Sequence, residues 1–480
     1  MQRLFLYQRK ERSFFMLSNG QIEKILAEAR KSGADFAELY LEDRNDTILK
    51  CVDRKVNGVT GLHIHGAGLY VLDGINRVYV YDNDTSYAAL MKVAEKASVL
   101  IASGRRCPEG GPVSVPLYMR RYASPVHTEI YPDQVEVRRK VELAKEIDLA
   151  ARSAGPVVRS MNTEYYDEIQ HVTIANSEGL LTEDTRVFTR VRLAGTVEWK
   201  SQAAYAFQDY VKPAGFEIFK EKEDYIGFAQ GSVRDMEARL KAEPIRSCVV
   251  PVVFEGGAAG VFWHEACGHN LETTCIDAGE SDFGDKLGCK VASDKVTLID
   301  DGTVPGLCGS EAVDDEGCPT QKNVLIEKGV IKRFLCDRLG ARKYGMSQCG
   351  SGRRQSYCFA PAARMHNTYL AAGEDDEEEM IRSLPEGLYV KTLGGGNSGT
   401  DFSIAVLDGY WIRNGQIAYP VKNVTLGGNS LDIIKRVDRV GRILVPDLGG
   451  GFCGASSGLV QTTAYQPRMR VTAMSVAGMN

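Results

Sequence analysis

The segment Gly256–Glu272, GGAAGVFWHEACGHNLE, constrains this 480-residue chain more than any other. Its apolar lead-in (Ala258, Ala259, Val261, Phe262) suits a helix buried in a core, yet it carries two of the chain's seven histidines, with a glutamate beside the first. Two imidazoles about one turn apart with an adjacent carboxylate are how zinc hydrolases present two ligands and a general base to one ion. The spacing departs from the usual four. His264 and His269 are five positions apart, which on an ideal α-helix separates them by about 140° around the axis. Two readings follow. Either a single π-turn brings both rings to one side, an irregularity frequent at functional sites, or the helix is regular and the histidines are hydrogen-bonded core residues. Gly268 tolerates the irregular backbone that the first reading needs.

A chain this long is expected to hold two or more domains with their own cores. Hydrophobic content of 44% and charged content of 25% are those of an ordinary soluble globular protein. A net charge of -5 supplies no broad basic surface, so no nucleic-acid partner is expected. No run approaches the ~18 apolar residues of a membrane span. The 12 cysteines include no CxxC pair, which favours a reduced, cytoplasmic protein over a disulfide framework. Residues 1–16 are basic and aromatic, lack a signal-peptide core and cleavage site, and read as a disordered or non-authentic extension with Met16 as the natural start.

Residues 17–225 read as an N-terminal α+β domain, helices packed on mainly antiparallel sheet. Ser18 caps a helix with Ile22, Ile25, Leu26 and Ala29 on one face and Gly33 as its stop. Ala37, Leu39 and Leu41 alternate with Glu38, Tyr40 and Glu42, the pattern of a half-buried strand. Strands follow at 47–52, 61–72 and 77–81, a helix at 85–103, a polar connection at 105–130 and a long helix at 135–153. Further strands are expected at 156–163, 168–175 and 185–200. His63 and His65 lie two apart on one strand face; no third ligand is evident in sequence, so they read as structural histidines.

Residues 226–480 read as a β-rich C-terminal domain. A charged helix at 231–242 leads to strand 249–254, which feeds the His-Glu helix. Strands are expected at 296–299, 324–326 and 330–334, with a hairpin over 406–419 turning at Asn414-Gly415. The six acids of 374–379 suit the first turn of a helix through Met380 and Ile381. Three glycine-rich segments, 350–352, 394–399 and 449–454, do not stand between strand and helix as nucleotide-binding loops do. The last contains Cys453, where a thiolate on a tight turn suits a metal. Spacing alone does not separate it as third ligand from Glu272, Cys275, Asp277 or His366, or from a free buried cysteine.

The motif His264-Glu265-Ala266-Cys267-Gly268-His269 resembles the HExxxH signature of the TldD/PmbA family of metallopeptidases. Asp300-Asp301-Gly302-Thr303, Asp314-Asp315-Glu316-Gly317, Gly352-Arg353-Arg354-Gln355-Ser356-Tyr357, Gly394-Gly395-Gly396 and Cys453-Gly454 follow in the family's order, and the resemblance covers about 17–478. It implies an α+β fold whose β-rich C-terminal domain carries a buried metal-binding helix. It implies zinc held by His264, His269 and Cys453, with Glu265 activating a metal-bound water. It further implies unstructured peptides as substrates, cleaved inside the channel of a homodimer or of a heterodimer with a related subunit. This chain keeps the motif and so looks like the active type. Cys267, inside the motif, could compete for soft metal or oxidise. The segment Ala455-Ser456-Ser457-Gly458 diverges from the lysine- and glutamine-bearing form of TldD proper, so substrate choice could differ.

Glu272 is placed to orient His269 from behind. Arg353 and Arg354 are candidates for gripping a substrate carboxylate, with an ordinary surface pair as the alternative. Two rival functions stay open: a non-catalytic peptide-binding subunit, and a thiol redox protein using Cys267 with Cys275 or Cys453.

Overall fold

The computed structural model describes residues 17–102, 112–155, 157–200, 202–397, 399–447 and 449–478. The expected extension 1–16 and the end of the helix expected at 85–103 lie outside the described residues. The protein is α+β, as read. Among the described residues no helix is long and apolar enough to cross a membrane.

The N-terminal half is one seven-stranded sheet. Its strands run Asn76–Asp82, Lys55–Asp73, Phe36–Val52, Val158–Asn176 and Leu180–Trp199, with Gln202–Lys212 and the short Tyr118–Met119 also on the last of these. Every pairing is antiparallel except that of Tyr118–Met119. Runs read separately, 37–42 with 47–52 and 156–163 with 168–175, are single strands of 17 and 19 residues. No glycine or proline interrupts either one.

Helices α1 (Asn19–Ala29), α2 (Tyr87–Ile101), α3 (Val137–Ser153) and α4 (Lys222–Arg239) cover one face. Ser18 caps α1 as expected, with Gln21 returning the bond. Leu39, Leu41, Leu69 and Val71 pack under α1 and α2. Leu49, Tyr165 and Val191 pack under α3 and α4. The expected join at 225/226 falls within α4. This helix packs on the first sheet, so the crossing to the second half follows it.

The other face of that sheet is not half-exposed, as alternation suggested. Glu38, Tyr40 and Glu42 are buried against the C-terminal half. Glu38 takes a 2.7 Å bond from Arg354, and Glu42 accepts from the Tyr357 N–H at 2.7 Å. Polar residues alternate here because they meet buried partners, not water.

In the C-terminal half, five strands close on themselves: Cys248–Phe254, Glu386–Asn397, Asp401–Arg413, Val424–Asn429 and Met469–Ala477. Asn414 and Gly415 both adopt positive φ (51° and 72°), the primed turn expected of that pair. A six-stranded sheet lies beside the ring and ends in the hairpin Gly451–Ala455/Gly458–Tyr465. The acidic run starts only a single-turn helix, Glu379–Arg382. Asp376 accepts from the Glu379 N–H at 2.9 Å, while Asp375 pairs with Lys295.

Candidate metal centre

Strand Cys248–Phe254 hands the chain to Gly256-Gly257, and Gly257 (φ 77°) turns it inward. The helix that follows is a patchwork. A 3₁₀ turn at Gly257–Gly260 tightens it, Val261–Trp263 are α-helical, His264–Gly268 form a π-turn, and His269–Leu271 close as 3₁₀. The His269 N–H bonds the His264 carbonyl, five residues back, which is the hydrogen bond that defines a π-turn. The spacing problem is solved by the first of the two readings. The two imidazoles stand edge to face with ring centroids 4.8 Å apart.

Packing explains why the helix lies where it does. A Cβ on Gly260 would come 2.3 Å from the Cα of Tyr465. The helix therefore rests directly on strand Gly458–Tyr465, whose hairpin partner Gly451–Ala455 carries Cys453. Gly268 has ordinary helical φ (-55°), so backbone irregularity is not its reason. Its missing Cβ makes room for the Met365 Sδ, which would otherwise sit 2.0 Å away.

The Cys453 Sγ lies 3.2 Å from the Nε2 of His264 and 3.2 Å from the Nε2 of His269. All three residues are buried. Burial alone would push the thiol up, but the two imidazoles outweigh it and bring its pKa down to about 4. The sulfur is thus held as a thiolate, the form that ligates metal. Burial disfavours the charged imidazole of His269, and the Glu272 carboxylate overrides it, so His269 is pushed up. Burial likewise pushes up Glu265, against the pull of both imidazoles.

Glu272 stands behind His269, its Oε2 2.9 Å from Nδ1, and its Oε1 accepts from the Met365 N–H at 3.1 Å. It makes this contact from extended backbone past the helix end (φ -84°, ψ 126°), not from a helical i, i+3 face. Cys275 donates to the same carboxylate at 3.6 Å. His264 Nδ1 is buried with no protein partner.

Arg364 is a part of the site that sequence reasoning did not find. It is buried, and its guanidinium donates to the Cys453 carbonyl (2.6 Å), the Ser457 Oγ (3.0 Å) and the Gly458 carbonyl (2.9 Å). It pins the hairpin that carries the thiolate. An arginine in the run Ala362-Ala363-Arg364-Met365 carries no local signal of that role.

Arg353 and Arg354 border a cavity of about 820 Å³ between the two halves, also lined by Phe452, the neighbour of Cys453. Both guanidiniums donate to protein acceptors. Arg353 bonds Glu311 and the carbonyls of Met365 and Gln461, while Arg354 bonds Glu38 and the Asp315 carbonyl. They are buried ties within and between the halves, not an exposed pair. Cys267 points into the apolar core, with its thiol pushed up by burial.

The donor set fits zinc. Two imidazole nitrogens and a thiolate about one ion with bonds of roughly 2.0–2.3 Å in tetrahedral geometry would stand roughly 3.5 Å apart, close to the nitrogen–sulfur distances found. An ion held by these three residues would keep a fourth position open, as catalytic rather than structural sites do.

Residues 247–478 match the PmbA/TldA metallopeptidase C-terminal domain, 130–239 the central domain and 37–100 domain 1. The metalloprotease TldD homolog of Haemophilus influenzae is 30% identical over 458 residues, 93% of each chain. The zinc metalloprotease TldD homolog of Saccharolobus solfataricus is 27% identical over 337 residues, 67% of this chain and 72% of that one. Among solved structures, TldE from Thermococcus kodakarensis superposes with a TM-score of 0.70 at 19% identity, covering 95% of this chain and all of that one. The chain belongs to the TldD/PmbA family of metallopeptidases.

Proposed function

We propose that this protein is a zinc-dependent peptidase of unstructured peptides, with His264, His269 and Cys453 as ligands and Glu265 as general base. The observation that carries the reading is the convergence of both Nε2 atoms on one buried thiolate. Zinc held there would supply Lewis-acid activation of water and of the scissile carbonyl.

The chain's own residues have separate tasks. Glu272 fixes the His269 tautomer by occupying Nδ1, which leaves Nε2 to the metal. Arg364 holds the Cys453 backbone in place. Glu265 takes a proton on its carboxylate and returns it to the leaving amine; burial, which raises its proton affinity, suits a group that must hold a proton between the two transfers. The sheltered position implied for family members, a channel within a dimer, fits a site whose ligands are all buried. A homodimer or a pair with a related subunit would both provide it.

The test is metal content beside hydrolysis. In a His63→Ala/His65→Ala background, purified protein should hold about one zinc per chain, lost when either His264→Ala or Cys453→Ser is added. Glu265→Gln should keep the metal and lose peptide cleavage. Zinc retained in either ligand variant would remove that ligand from the set, and full activity in metal-loaded Glu265→Gln would end its role as base. Metal-loaded protein inert toward every unstructured peptide would favour a peptide-holding subunit.

A further inference from the structure

The sheet register assembles a second group of ligand atoms, far from the first in sequence and different in kind. His63 and His65, two apart on strand Lys55–Asp73, project from the same face, because side chains two apart on a strand share a face. The register supplies what the local sequence lacks. Asp43 on the neighbouring strand pairs directly with His65, and Asn45 with His63, so Asp43 sits beside one histidine and diagonal to the other. A single oxygen, Asp43 Oδ2, lies 2.9 Å from His63 Nε2 and 2.9 Å from His65 Nδ1. One donor atom from each of the three residues falls within 4.8 Å of the others.

We propose that Asp43, His63 and His65 form a second, solvent-open site for a divalent first-row transition cation, distinct from the buried centre. Two imidazoles and a carboxylate are a borderline donor set that such ions accept and that Mg²⁺ and Ca²⁺ disfavour. The second nitrogen of His65 is already held, 2.9 Å from the Thr85 Oγ1, and a hydroxyl can accept from it once Nδ1 is given to a metal. An ion held by Asp43 Oδ2, His63 Nε2 and His65 Nδ1 would replace the two hydrogen bonds these atoms now share, each neutral imidazole carrying its proton on the other ring nitrogen.

The setting differs from the first site in exposure. The His63 side chain is 59% exposed and that of His65 30%, while Asp43 is 12% exposed. Strand Asn76–Asp82 pairs with residues 67–73 only, so beside His63 and His65 the sheet edge is open. The cleft there is lined by Asn83 and by Ser356, Tyr357 and Cys358 from the C-terminal half. Adjacent to Asp43, Glu42 holds the Tyr357 N–H. An ion at this position would bridge two paired strands of the N-terminal sheet at the rim of this cleft.

The experiment uses full-length His264→Ala/Cys453→Ser protein, which lacks two of the three proposed buried ligands, titrated calorimetrically with Zn²⁺ alone at pH 7.5. One equivalent should bind. Adding His63→Ala, an exposed substitution that leaves the fold untouched, or Asp43→Asn should weaken that binding at least tenfold. Lowering the pH below ~6, where imidazoles protonate, should abolish it. No binding in the starting protein, or binding indifferent to His63→Ala, would overturn the proposal. Neither result would bear on the buried centre, which is read from the other variants.

Discussion

His264 and His269 come from adjacent turns of one helix, whereas Cys453 arrives from a hairpin 184 residues beyond the second of them. The helix side is built locally. A π-turn, two glycine contacts and an apolar bed of Phe254, Phe262, Trp263 and Phe402 fix both rings. The hairpin side is built remotely. Its thiolate depends on Arg364, and the hairpin is further bonded through Gln355, which donates to the Ser457 carbonyl and accepts from the Leu459 N–H. The loop carrying Gln355 is in turn bonded to the N-terminal sheet through Tyr357 and Glu42. One side therefore answers to its own core, and the other to the join between the halves.

The sharpest way to break this asymmetry is Arg364→Ala. Three acceptors would lose their donor inside the core, at about 3 kcal/mol or more in total. Metal should be lost from the buried centre together with a lower unfolding midpoint, measured by thermal denaturation and by zinc content in the His63→Ala/His65→Ala background. A variant that keeps its zinc would show that the hairpin stands without its clamp. Next, Glu272→Gln should lower zinc affinity about 10–100-fold while leaving Cys453 in place; chelator competition measures it, and unchanged affinity would remove Glu272 from the site.

Gly268→Ala probes the helix side alone. Its Cβ would press on the Met365 sulfur, an overpacking cost of about 1–3 kcal/mol, and the double variant with Met365→Ala should recover part of it in denaturant melts. Absence of any recovery would mean that the glycine serves the backbone instead.

The smallest effect is in pH. Burial pushes Glu42 up to about 7 from its ordinary 4.5. A carboxyl that holds its proton more tightly when folded stabilises the fold below the ordinary value, and that contribution is lost as pH rises through about 7. Unfolding free energy should thus decline between pH ~5 and ~7, with a shallower slope in Glu42→Gln. An equal slope in both proteins would put the pH dependence elsewhere.

Legibility followed the same division. The helix, and the irregular turn as one of two alternatives, were readable from the five-residue histidine spacing, because that constraint is local. Glu272 was readable as a partner of His269, though extended backbone rather than a helical face brings it there. Cys453 was reached through family resemblance, since no spacing rule joins positions so far apart. Arg364 and the Asp43 register were invisible for the same reason. The alternation of Glu38, Tyr40 and Glu42 was legible as period two but not as buried, because period alone does not say whether water or protein meets the polar face.

The distance between the two sides also orders events in time. During synthesis both imidazoles emerge long before the thiolate. Strand Met469–Ala477, which pairs with the strand feeding the helix, emerges later still. On the proposed ligand set, a nascent or truncated chain owns two-thirds of a metal centre and no more. Acquisition of the ion would then certify that the hairpin has been made and folded onto the helix, and a chain without it would stay silent among the other nascent chains around it.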